Sequence, residues 1–450
     1  MNIASVIERW AAQFPGKTAL QFEGRSWTYG DFWKGIQTQT QALEIGKGDR
    51  VGYLGTNHPD MLVLLFALAR LGGILVPLNW RLTEAERREI LADCSPKLLF
   101  EKSVFGVKTD QMPAGRYEDD LLIVYTSGTT GRPKGAVLAQ SALLWNAFNS
   151  IHAHDLRQDD HVLTALPMFH VGGLNIQTLP ALLAGATVTL HARFDPGLWL
   201  ADVARRRPTL SLLVPAAMRA VVSHPDWPKA DLSSLRLLST GSMVVPDSLI
   251  RAFHERGVAV GQIYGCTETA PIATALLRED AGRKVGSAGR PALHCEVKLE
   301  DGEILVRGPN VMRGYWPDFS GLDAQGWFHT GDLARVDEDG CYWITGRSKD
   351  VIISGGENIH PAELENVLAD CPAIAEAAVV GIADDKWGEA ACACVVRKEG
   401  NVLDERQILA LFENRLARYK HPRRVVFLDA LPKNALGKVQ KAELKRRLGV

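Results

Sequence analysis

The chain has 450 residues, 46 % of them hydrophobic and 23 % charged, with 51 Lys and Arg against 52 Asp and Glu. That length exceeds what one hydrophobic core organises, so two or more domains are expected. The balanced charge exerts no long-range pull on nucleic acid or an anionic membrane, so neither is expected as a partner, and an anionic ligand must be held by local groups.

The opening stretch, MNIASVIERWAAQFPGK, places Glu8 and Arg9 where a secretory leader needs apolar residues, and it reads as an amphipathic helix. KGDRVGYLG ends in a strand, MLVLLFALARLG is a helix and GILVPLN a second strand. This apolar run is broken by Arg70 and by Gly72-Gly73, so it reads as a buried helix turning into a core strand, not as an integral membrane segment. LTEAERREILADC follows as a helix, with Thr83 placed to cap it and Glu86 three residues on, and KLLFEK is a further strand. Similar units recur in ATVTLHARF with DPGLWLADVARRR, in LSLLVPAAMRAVVS, and in LRLLSTG with a helix from about Pro246 to Arg256. Strands alternating with helices predict an α/β fold of mainly parallel, helix-covered sheets. After about residue 295 the pattern becomes β-rich. Beyond Arg347 lies a smaller α+β unit: a helix PAELENVLAD, strands AEAAVVGI and ACACVVRK, a helix DERQILALFENRLARY with Asp404 and Gln407 spaced as a capping pair, a strand RRVVFLD and a last helix. The expected division is a large domain 1–346, a hinge 347–349 and a small mobile domain 350–450.

The seven cysteines are scattered without a C-x-x-C pair, which argues against a zinc site or a disulfide framework. Cys392 and Cys394 alternate as one face of a buried strand. Reduced thiols packed as small hydrophobes suit a cytoplasmic protein.

Chemistry concentrates in a few runs. LLIV, a buried strand, leads into YTSGTTGRPKG, whose amides and hydroxyls suit a polyphosphate. Pro133 separates glycine from Lys134, so the run is not the common G-x-x-x-x-G-K-[ST] loop. YGCTET follows another strand; Glu268 there is a fit carboxylate for phosphate-bound Mg²⁺, Thr267 for a phosphoryl oxygen and Tyr264 for a purine face. Asp332 in GWFHTGDLA and Arg347 in GRSKD suit the two hydroxyls of a ribose. SGGENIHPAE is a second glycine loop entering a helix, and LPKNALGKVQK sets Lys438 on a loop before the final helix.

Taken together, YTSGTTGRPKG, PMFHVGG, YGCTET, HTGDLARVDEDGCYWITGRSKDVIISGGENIHPAELE and LPKNALGKVQK resemble the adenylate-forming superfamily, in its acyl-CoA synthetase branch, from about Ser5 to Lys445. The resemblance implies an ATP- and Mg²⁺-dependent ligase that joins a carboxylic acid to CoA through an acyl-adenylate. It implies that Thr126, Ser127, Gly128, Thr129, Thr130, Gly131 and Lys134 hold the pyrophosphate half, and that Gly241, Ser242, Tyr264, Gly265 and Thr267 frame the nucleotide. Glu268 would hold Mg²⁺, Asp332 and Arg347 the ribose, and Lys438 the charge developing during adenylation. The small domain would then turn about Lys349, bringing Ser354, Gly355, Gly356 and Glu357 to the pantetheine arm, with Trp387, Tyr419 and Lys420 near the CoA nucleotide.

The acyl group is expected among His170, Val171, Gly172, Gly265, Cys266 and Ala270, with His170 as gate or catalytic residue. These residues offer nothing to neutralise a second carboxylate, which favours an apolar monocarboxylic acid, medium- or long-chain or aryl. The alternatives are o-succinylbenzoate as the acid, an acyl carrier protein as acceptor, and a non-catalytic nucleotide sensor. A homodimer is a further expectation; relative to the family, 101–117 is trimmed, which bears on oligomer contacts more than on activity.

Overall fold

The computed structural model describes residues 1–101, 113–127, 133–242, 245–355, 357–433 and 439–449, with Ser127 described through its backbone. Its larger part is built on two sheets. In the nine-stranded sheet the inner strands Thr18–Phe22, Thr187–Leu190, His161–Thr164, Leu210–Leu212, Leu237–Gly241 and Val260–Tyr264 run parallel. Antiparallel strands close its two edges. The six-stranded sheet is parallel through Leu98–Phe100, Arg50–Leu54, Ile74–Leu78 and Asp120–Ser127, then turns antiparallel at Pro133–Ala139 and Gly314–Trp316. The expected mainly parallel architecture therefore holds, with antiparallel edges added.

Local sequence explains the helices between these strands. Pro59–Leu71 is buried over ten of its residues and starts where the Asp60 amide donates to His58 Nδ1; it stops at Gly72, whose φ of 77° ends the α-helix. Glu84–Cys94 carries the expected reciprocal cap between Thr83 and Glu86. Among the described residues no helix is long and apolar enough to cross a membrane.

Parallel strands joined by helical crossovers leave their carboxyl ends on one rim, where ligands bind in such sheets. Asp120–Ser127, His161–Thr164, Leu237–Gly241 and Val260–Tyr264 each end where a candidate motif begins.

The β-rich part is a four-stranded antiparallel sheet of Glu296–Glu300, Glu303–Arg307, Phe328–Val336 and Tyr342–Arg347. Its first hairpin turns at Asp301 and Gly302, both at positive φ, as a two-residue turn matched to strand twist requires. From Arg347 the chain crosses the 3₁₀ turn Ser348–Asp350 and enters, at Ile352–Ser354, a five-stranded mixed sheet, antiparallel except where Arg424–Phe427 pairs parallel with Gly388–Arg397. There Cys392 and Cys394 lie fully buried on one face with Leu431 and Leu444, while Ala391, Ala393 and Val395 face Leu364 and Phe412.

One expected element is shorter than its pattern. The helix drawn over 404–419 is α-helical only across Glu405–Ala410, although its Asp404–Gln407 cap forms. Asn414 sits at φ 61°, outside the helical region, so the apolar residues Leu411, Phe412 and Leu416 reach the core through turns.

Candidate active site

The strand Asp120–Ser127 and its return Pro133–Ala139 pair antiparallel, with Thr126 opposite Lys134 and Ser127 opposite Pro133. Gly128, Thr129, Thr130 and Gly131 lie outside the described residues, as do Gly356 and Lys438. The Thr126 hydroxyl donates to the Lys134 carbonyl at 3.4 Å. The exposed Lys134 ammonium stands 5.1 Å from the centroid of the Tyr315 ring. Tyr315 in turn donates its hydroxyl to Glu268 Oε1 at 2.7 Å. One aromatic side chain, from a strand that pairs with Pro133–Ala139, thus joins the glycine-rich run to the YGCTET run. Nothing local in the sequence singles out Tyr315; only the sheet register brings it there.

Glu268 is buried at 8 % exposure in the turn Thr267–Thr269, and its carbonyl accepts the Met312 amide. Among the described residues no three His, Cys, Asp or Glu side chains gather as a metal cluster. A single buried carboxylate with one oxygen held by a tyrosine fits a cation that brings phosphate and water ligands of its own. Thr267 is buried beside it.

Two glycines at strand ends are fixed by close backbone approach. A Cβ on Gly241 would stand 2.3 Å from the Ile263 carbonyl oxygen, and one on Gly265 would stand 1.8 Å from that of Pro271. Thr240 is fully buried, its hydroxyl without a partner among the described residues, and Ser242 follows exposed at φ 72°. Across from these strand ends, Asp332 and Arg347 are direct cross-strand partners. Arg347 Nε donates to Asp332 Oδ1 at 2.7 Å, and the Tyr264 hydroxyl donates to Asp332 Oδ2 at 3.0 Å. Burial is the largest single influence and opposes the guanidinium charge, but Asp332 together with smaller contributions, Asp350 among them, outweighs it and the Arg347 pKa is raised. Burial, aided by Asp332, likewise holds the Tyr264 phenol far above its ordinary range. The three residues form a fixed polar edge with the carboxylate and guanidinium side by side.

After the strand His161–Thr164, His170 caps the short helix Val171–Gly173, its Nδ1 accepting the Gly172 amide at 3.0 Å. Burial lowers its pKa to about 4, so the imidazole is neutral at physiological pH and brings no charge to an incoming carboxylate. Val171 and Ala270 belong to one apolar cluster, against which Cys266 packs. Burial, then Glu268, pushes the Cys266 thiol well above its usual range, which makes it packing rather than a nucleophile.

The hinge candidate Lys349 is exposed in the turn after Arg347, where Ser348 donates to the Gly331 carbonyl at 3.2 Å. Ser354 and Glu357 pair across the glycine hairpin, and the Gly355 amide donates to the Trp387 carbonyl at 2.8 Å. Trp387 is half-buried, with Arg423 4.7 Å and Lys386 5.0 Å from its ring centroid. Tyr419 is 44 % exposed, whereas Lys420 is ion-paired with Glu363. On either side of the undescribed residues 434–438, Lys433 and Val439 form an isolated antiparallel bridge and the Gln440 amide donates to the Pro432 carbonyl.

This arrangement has close relatives. The AMP-binding enzyme family profile matches residues 7–120 and 104–316, and the profile of the AMP-binding enzyme C-terminal domain matches 363–438. An indoleacetate–CoA ligase of Aromatoleum aromaticum is 47 % identical, covering 99 % of this chain and 98 % of its own. A feruloyl-CoA synthase of an Amycolatopsis species is 41 % identical over 98 % of both chains. Among solved structures, the o-succinylbenzoate CoA synthetase of Bacillus subtilis with its acyl-adenylate intermediate superposes with a TM-score of 0.90 at 31 % identity, covering 98 % of this chain and 97 % of that one.

Proposed function

The chain belongs to the AMP-binding enzyme family, as an acid–thiol ligase of the acyl-CoA synthetase branch that uses ATP, Mg²⁺ and CoA, and from that premise we propose that the acid it activates is an aryl-substituted monocarboxylate of the arylacetate or cinnamate kind. The carrying observation is the uncharged wall beside the acid. His170 is neutral, and Val171, Gly172, Gly265, Cys266 and Ala270 bring no cation, so a second carboxylate there has no partner. The indoleacetate and feruloyl relatives, whose named acids join one carboxylate to a ring, support the same reading.

In this proposal the large domain, 1–346, holds ATP and acid, and the small one, 350–450, closes over them twice in different orientations. The amides and hydroxyls from Thr126 to Lys134 hold the β- and γ-phosphates. Asp332 and Arg347 take the ribose hydroxyls, and Tyr264 with Gly241 and Ser242 frames the purine. Glu268 would be the protein ligand for Mg²⁺, which would supply neutralisation of phosphate charge. The acid's carboxylate oxygen attacks the α-phosphorus, and the bond to pyrophosphate breaks. Lys438 bridges the two anions as they meet, where a fixed positive charge lowers the barrier most.

The small domain then turns about Lys349. Ser354–Glu357 line the path of the pantetheine arm, and Trp387, Tyr419, Lys420 and Arg423 lie near the CoA nucleotide. The thiol attacks the acyl carbon, AMP departs as the leaving group, and the thioester remains.

A panel of acids scored by ATP- and CoA-dependent AMP release tests the substrate class. Arylacetates and cinnamates should exceed fatty acids and 2-succinylbenzoate in kcat/KM by roughly tenfold or more, the scale on which an apolar pocket discriminates. Preferential use of a fatty acid or of the dicarboxylate would overturn it, as would release of AMP on a carrier's pantetheine but not on CoA.

A further inference from the structure

Asn175 lies in a π-helical turn, Leu174–Thr178, that continues the helix capped by His170. Such turns are rare and recur at functional sites. The residue is wholly buried, at 0 % exposure, yet neither Nδ2 nor Oδ1 has a hydrogen-bond partner among the described residues. A carboxamide empty at both ends is costly in an apolar interior and calls for a reason.

Its neighbours sharpen the contrast. Asn146 is also buried but fully used: Nδ2 donates to the Asn175 carbonyl at 2.7 Å, and Oδ1 accepts the Ile272 amide at 3.1 Å. Asn310 donates to the carbonyls of Thr269 at 2.7 Å and Ile272 at 3.1 Å. The helix after His170 and the segment after YGCTET, the two walls of the proposed acyl site, are thereby tied together beside Asn175. Four residues on from Val171, Asn175 falls on the same helix face as that wall residue. Gln177, near the opposite face, donates instead to Ser211 and Ser239 in the sheet. Gln177 keeps only its Oε1 without a partner among the described residues, beside Gly172 and Gly173, whereas Asn175, on the face it shares with Val171, is open at both nitrogen and oxygen.

We infer that Asn175 is the specificity-determining residue for a hydrogen-bonding group on the ring of the acid: a pyrrole-type N–H given to Oδ1, or a phenolic oxygen engaged by Nδ2. This rests on the aryl-acid reading and narrows it to rings that carry one such heteroatom away from the carboxylate. An acid without the group leaves a buried carboxamide unpaired, and a site built that way rejects it more strongly than an apolar wall rejects a change of size.

The test uses matched acids: indole-3-acetate against benzothiophene-3-acetate, and 4-hydroxycinnamate against 4-methylcinnamate. The wild-type enzyme should favour the hydrogen-bonding member of each pair by about 10- to 100-fold in kcat/KM. Asn175→Leu, similar in branching and shape, should bring that ratio to within about threefold while keeping turnover of the methyl or sulfur analogue. Should that variant fail to fold, Asn175→Ala with the same pairs is read the same way. A wild-type ratio near one, or a ratio unchanged in the variant as for a carboxamide satisfied by structural water, overturns the assignment. Ring acids used without preference within pairs sink only the role of Asn175, whereas no turnover of any ring acid sinks the aryl-acid reading itself.

Discussion

Tyr315→Phe isolates one hydrogen bond in the proposed metal-and-phosphate region. The substitution removes the hydroxyl that donates to Glu268 Oε1 at 2.7 Å and keeps the ring beneath the Lys134 ammonium. A hydrogen bond to an ionised acceptor contributes about 1.5–3 kcal/mol. At 1.4 kcal/mol per factor of ten, its loss should lower kcat/KM for ATP in adenylation by about 10- to 150-fold if the bond orients Glu268 for the cation. The assay is acid-dependent pyrophosphate release across an Mg²⁺ titration, alongside thioester formation from supplied acyl-adenylate. The titration midpoint should move to higher Mg²⁺ while the thioester step keeps its rate. Glu268→Gln should produce the same pattern more severely. A midpoint that stays in place or moves to lower Mg²⁺, or equal loss in both half-reactions, would refute the link from Tyr315 through Glu268 to the metal.

Three further outcomes are expected. Lys438→Ala should abolish pyrophosphate release but leave thioester formation from acyl-adenylate largely intact, and parallel loss of both steps would end the two-orientation scheme. Lys349→Pro should slow CoA-dependent AMP release while sparing adenylation, read as the two half-reactions measured separately. His154 is buried, and burial lowers its pKa to about 4 from the ordinary 6.5. Between those values the unfolded chain holds the extra proton, so this residue's contribution to stability rises with pH from 4 to 6.5 and falls away on acidification, by at most about 1.4 kcal/mol per pH unit. Denaturation midpoints of His154→Gln should therefore depend less steeply on pH in that window than those of the wild type, and identical slopes would exclude the effect.

Contiguous runs made much of this protein legible in advance. The capping pairs at Thr83–Glu86 and Asp404–Gln407 span three residues and form as their spacing demands. The apolar helix ended by Gly72 and the alternation of Cys392 with Cys394 are local too, because each depends on backbone geometry within a few positions. The helix over 404–419 misled because a periodic apolar pattern is equally served by turns once Asn414 adopts φ 61° and Phe412 still reaches the core. What only the tertiary structure decided are partnerships across long sequence distances. Tyr315 meets Glu268 across 47 residues, Tyr264 meets Asp332 across 68 and Asn146 ties Ile272 across 126. These depend on strand register and on which helix faces meet, and a side chain such as Asn175, left without a partner among the described residues, is visible only after its neighbours have been placed.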